Sequence, residues 1–145
     1  MASGVLGCGD VSHMFGGIWK SETALSASFI DGRLELAIGH FGREMTGIVR
    51  FLDEDAIVEL PDCSCAYLDQ QDVDLDNQHF IATTTLCGDD PVILIWDLTY
   101  DDAAADPRLV GEVRVANDDL TTPVAVSFRL ADRFVPDDKH VECKP

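Results

Sequence analysis

A chain of 145 residues is long enough to bury about 68% of the surface it exposes when unfolded, which sets the expectation of one domain. With 27 acidic against 10 basic residues the net charge is -17, a field that repels phosphate backbones and excludes nucleic acid as an expected partner. No apolar run nears the ~20 residues of a membrane-spanning helix.

The chain divides into residues 1–14, a flexible N-terminal segment or tether, and 15–145, a single β domain. In the first part Val5-Leu6-Gly7-Cys8 resembles the lipobox of bacterial lipoproteins, in which lipid is attached to the cysteine. The resemblance implies lipidation of Cys8, a membrane tether through it, and an extracytoplasmic location in the periplasm, outer envelope or secreted fraction. A free thiol or an intermolecular bridge at Cys8 is the alternative. With Cys8 set aside, Cys63, Cys65, Cys87 and Cys143 remain, an even set as expected of bridges in an oxidising compartment.

From Phe15 onward the text reads as strands. Residues 16–20 form a short first segment; 24–30 then alternate, with Leu25, Ala27 and Phe29 on one face, the period of a half-buried strand. Asp31-Gly32 has the chemistry of a two-residue turn, so 33–38, with Leu34, Leu36 and Ile38 aligned, is expected to return antiparallel. Gly39-His40-Phe41-Gly42 turns the chain into a strand over 44–51. Asp53-Glu54-Asp55 turns it again into 56–60, which Pro61 ends.

The stretch from Cys63 to Trp96 holds three cysteines and an acidic loop. If extended, Cys63 and Cys65 point to one face about 6.6 Å apart, and a bond between them is strained. Each then reaches to Cys87 or Cys143. Folding 63–68 back on 80–86 places Cys87 nearest Cys63, which gives the pairs Cys63–Cys87 and Cys65–Cys143. Residues 92–100 are apolar on both faces at first, so both faces are expected to be covered. A last hairpin aligns Leu109, Gly111, Val113 and Val115 with Val124, Val126, Phe128 and Leu130.

The expected fold is all-β, an antiparallel meander of about eight to nine strands. A barrel removes both sheet edges; the alternative is a two-sheet β-sandwich. Gly17-Ile18-Trp19 resembles the G-x-W signature of lipocalins and the wider calycin barrels. That resemblance implies a calycin-like barrel whose floor Trp19 closes beneath an arginine from the last strand, a role that Arg129 or Arg133 could fill in this chain.

Candidate chemistry is sparse. Asp72, Asp74 and Asp76 alternate as oxygen ligands of calcium do, yet Asn77 and Thr83 stand where an EF-hand needs glycine and glutamate; a solvated acidic loop is the simpler account. Four histidines and five cysteines raise zinc, but Cys-x-Cys lacks the usual knuckle spacing. No serine nucleophile motif is present, and no cofactor other than calcium is indicated. The expectation is a non-enzymatic binding module that holds a small apolar molecule in its barrel, with Trp19, Trp96 and Phe80 as lining. The alternative is a filled structural, envelope or assembly protein that meets a protein partner through its surface.

Overall fold

The computed structural model of the chain describes residues 14–26, 31–41, 44–51, 65–86, 92–102, 106–116 and 122–133. Their alternating apolar and polar residues form β1 (Gly17–Ser21), β2 (Leu25–Ser26), β3 (Asp31–Gly32), β4 (Leu34–Phe41), β5 (Glu44–Phe51), β6 (Cys65–Tyr67), β7 (Asp69–Asp74), β8 (His79–Leu86), β9 (Val92–Asp101), β10 (Arg108–Val115) and β11 (Val124–Asp132). The fold is all-β.

Nine strands share one antiparallel, strongly curled sheet in the order β6-β5-β4-β1-β11-β10-β9-β8-β7. A two-sheet sandwich is therefore not the architecture. Neighbours in that order are consecutive in the chain except at two places: β1 and β4, between which β2 and β3 form a separate pair, and β1 and β11, which join the start to the end with Trp19 opposite Leu130. The sheet's two edges, β6 and β7, are separated in sequence by Leu68 alone.

One extended run thus pairs with β5 through its first part and with β8 through its second. At the switch, the Leu68 N–H donates to the Gly47 carbonyl at 2.9 Å, and Thr83 Oγ1 donates to the Asp69 carbonyl at 3.2 Å. The half-barrel curls until its edges lie beside each other, β6 against β8 and β5 against β7. Such a run leaves less unpaired edge than two free strands would.

Period two aims one set of side chains inward. Leu34, Leu36 and Ile38 of β4, Phe80 and Ala82 of β8, Leu94, Trp96 and Leu98 of β9, Leu109 and Val113 of β10, and Val126 and Phe128 of β11 are buried in one continuous apolar cluster. In the register of β10 on β11, Leu109 lies opposite Phe128 and Val113 opposite Val124, which keeps the two alternating sets facing each other as expected.

Four expectations are corrected. Asp31-Gly32 is not the turn: the pair is β3 itself, joined to Leu25 and Ser26, while β4 takes β1 and β5 as partners. His40 lies within β4 rather than in a turn. The acidic loop is mostly the strand β7, and its reversal is the turn over 75–78, where the Gln78 N–H donates to the Leu75 carbonyl at 3.2 Å. The outer face of β9 is not covered throughout, since Ile93 is 39% exposed. Residues 56–60, also expected as a strand, lie outside the described residues.

Candidate functional site

The floor of the curled sheet is built where β1 begins. Gly17 has a φ of 145°, a backbone conformation open to glycine, and a Cβ there would collide with the Asp132 carbonyl. This close approach lets the chain enter β1 beside the end of β11. Two residues on, Trp19 is fully buried and its Nε1–H donates to the Phe15 carbonyl at 2.9 Å. Arg133, just past β11, sets its guanidinium carbon 5.9 Å from the centre of the Trp19 ring. Its Nη1 donates to the carbonyls of Met14 at 2.7 Å and Gly16 at 3.1 Å.

Of the two arginines expected above Trp19, Arg133 fills the position. Arg129 is exposed, opposite Lys20 and Arg108. Phe15 completes the floor, fully buried, with its ring 5.0 Å from Phe80 in an edge-on contact and 5.1 Å from His40. His40 is 3% exposed, and its Nδ1 accepts from the Phe15 N–H at 3.2 Å.

The upper interior is organised by Trp96, also fully buried, whose Nε1–H donates to Thr84 Oγ1 at 2.9 Å while its ring tilts against Phe128 at 6.3 Å. Trp19, Trp96 and Phe80, the expected ligand lining, all point inward and none is exposed. Among the described residues, no buried side-chain nitrogen or oxygen lacks a hydrogen-bond partner.

Phe15, His40 and Thr84 were not among the expected site residues. Continued alternation from Leu34 through Ile38 marks position 40 as inward, and from Phe80 through Ala82 marks position 84, so His40 and Thr84 had a signal; Phe15, which precedes the first strand, had none.

On the outer face, Asp72 and Asp74 stand on β7 opposite Ile81 and His79, and Asp76 lies in the following turn. The Asp74 carboxylate accepts from Asn77 through its side chain at 2.7 Å and its backbone N–H at 3.2 Å. The Asn77 side-chain bond is the main cause that holds this carboxyl below its ordinary value. Among the described residues no three metal-binding side chains come together; the calcium expectation finds Asp74 already engaged as a turn cap. His79 Nε2 meets the Asp97 carboxylate.

Cys65 begins β6 opposite Arg50. Cys8, Cys63, Cys87 and Cys143, and with them the expected pairings and lipid site, lie outside the described residues. Comparison of the chain with protein-family models, curated proteins and solved structures finds no match.

Proposed function

We propose that this chain is a non-enzymatic barrel-like module with a filled interior that acts through its surface, as a structural, envelope or assembly component. The observation that carries this reading is the interior itself: Phe15, Trp19, Phe80, Trp96 and Phe128, with Leu34, Leu36, Leu94, Leu98 and Leu109, are fully buried. A pocket for a drug-sized apolar ligand is a preformed concave space with a few polar groups aimed into it. Here both indole N–H groups are consumed within the fold, by Phe15 and Thr84.

The surface offers apolar handholds that a partner protein can use. Tyr67, on the edge strand β6, is 47% exposed, and Ile93, on β9, is 39% exposed. The excess of acid on the remaining surface favours solubility and a partner with basic groups.

The location belongs to the same reading: an extracytoplasmic module, tethered through a lipid on Cys8 and crosslinked as Cys63–Cys87 and Cys65–Cys143. Support comes from the even set of cysteines that remains once Cys8 is set aside, as expected of bridges in an oxidising compartment. Non-reducing peptide mapping checks the pairing.

The competing reading, a small apolar ligand held against Trp19, Trp96 and Phe80, requires the interior to open. Titration with an apolar fluorescent probe separates the two. The filled interior gives no saturable binding and no change in tryptophan emission; saturable binding with quenching of Trp96 replaces this proposal with the ligand-binding one.

A further inference from the structure

The charge of this chain is divided along its length. Residues 51–107 carry 15 of the 27 acidic residues and none of the 10 basic ones, so nearly all of the net charge of -17 falls between Arg50 and Arg108. Strands β6 to β9 lie in that span. On β7 and its turn Asp69, Asp72 and Asp76 are exposed, and His79, the single histidine of the span, is already met by Asp97.

The remaining strands gather the opposite charge into one row. Lys20 of β1 lies opposite Arg129 of β11, and Arg129 lies opposite Arg108 of β10; outward positions on neighbouring strands bring these cations within side-chain reach of each other. On either flank a carboxylate is taken. Glu35, opposite Lys20, pairs with Arg50 at 3.2 Å, and Glu22 pairs with Arg108 Nε at 3.0 Å and accepts from Ser127. Arg129 acts on Glu22 through its field, but neither it nor Lys20, both exposed, has an ion-pair partner among the described residues. Like charges directly opposite each other destabilise a sheet, so the row is a cost to the isolated chain.

The two charges face opposite ways. β1, β11 and β10 occupy the middle of the nine-strand order and β7 one end, and the curl that brings the edges together sets the middle strands across the sheet from them. Acid on one side calls for basic groups, and the same chain carries them on the other. A contact between unlike patches is not self-complementary: a copy that uses its row leaves its own β7 free, so the contact repeats head to tail.

We infer that the partner of this surface is a second copy of the chain, with the cationic row Lys20, Arg129 and Arg108 of one molecule seated on the Asp69, Asp72 and Asp76 carboxylates of the next. Resting on the surface-acting role proposed above, this contact specifies it as open-ended assembly. Whole molecules of this charge repel each other at low ionic strength. At about 0.15 M monovalent salt, where screening acts over about 8 Å, that repulsion is damped and pairs in direct contact persist.

Sedimentation velocity of the intact chain at that salt, across a range of protein concentrations, reads the assembly. Wild type gains mass with concentration beyond a dimer, and about 1 M salt disperses it. Lys20→Glu with Arg129→Glu, or Asp69→Lys with Asp72→Lys, sets like charge against like. Each of these variants stays at the 15.8 kDa of one chain, its dissociation constant raised about tenfold or more. An equal mixture of the two regains association, because the reversed row of one fits the reversed edge of the other, and that gain shows both to be folded. Wild type that remains a monomer or stops at a closed dimer, a row variant that assembles like wild type, or a mixture of folded variants that stays dispersed overturns the inference. None of these outcomes bears on the filled interior, which the probe titration tests separately.

Discussion

The guanidinium of Arg133 covers the ring of Trp19 at 5.9 Å and ties down the two carbonyls that flank Phe15. One side chain beyond the last strand thus fixes the entry to the first. Arg133→Ala removes two charge-assisted hydrogen bonds and a cation–ring contact, and is expected to lower unfolding stability by about 2–4 kcal/mol. Arg133→Lys recovers less than half of that, because a single ammonium cannot cover the ring and reach both carbonyls. Denaturant unfolding followed by Trp19 emission, with Trp96 replaced by Phe, measures both.

The meeting of the sheet edges depends on Gly47 and Leu68. A Cβ at Gly47 would lie 2.6 Å from Leu68 Cδ1, so the leucine occupies the space that a side chain at 47 would need. Gly47→Ala overpacks this point and destabilises by about 1–3 kcal/mol. Leu68→Ala leaves a void at about 2–5 kcal/mol. The double variant is more stable than the sum of the two losses requires, since each relieves the other; strict additivity in a double-mutant cycle would show that the two do not share the site.

Thr84 is a buried hydroxyl on an otherwise apolar face, present because the Trp96 N–H has to be satisfied. Thr84→Val keeps the shape and orphans the indole N–H, which costs about 1–3 kcal/mol. Thr84→Ser keeps the acceptor, and its loss is confined to the missing methyl, about 1 kcal/mol. Equal midpoints for the two variants would contradict the role assigned to the hydroxyl.

Acid sensitivity of the outer face is expected at Glu22. The carboxyl accepts from Ser127 Oγ and pairs with Arg108 Nε at 3.0 Å, and the Ser127 bond first, with Arg108 beside it, holds its pKa below the ordinary 4.5. A carboxyl whose folded pKa is depressed contributes stability above its unfolded value, and that contribution is lost as pH falls through the folded one. Glu22→Gln is therefore slightly less stable than wild type at neutral pH, by the small amount expected of a surface pair. The gap closes below the ordinary value, as thermal midpoints across an acid series will show.

Much of the fold was legible in the alternation of apolar residues. The strand over 44–51, the inward set Leu34, Leu36 and Ile38, and the shared face of Leu109, Val113, Val126 and Phe128 follow from period two. The misses share a physical cause, the dominance of long-range pairing over local chemistry. Asp31-Gly32 favours a tight turn locally, yet β4 gains two long partners in β1 and β5. The carboxylates of β7 resemble a loop, but outward positions of an edge strand keep Asp69 and Asp72 in water. His40 was obscured by its polarity and its neighbouring glycines, an objection that the Phe15 N–H removes.

At the floor, Gly17-Ile18-Trp19 located half of the arrangement. Arg129 and Arg133 were indistinguishable as partners of Trp19 because their choice depends on where β11 ends and on which face Arg129 presents. Neither is set by local sequence.

Diffraction from crystals of the protein under xenon pressure tests the filled interior most directly, because xenon enters apolar voids that water leaves empty. The account predicts no xenon site among Trp19, Phe80, Trp96 and Phe128. Xenon density between those side chains would establish a ligand-sized space and contradict it.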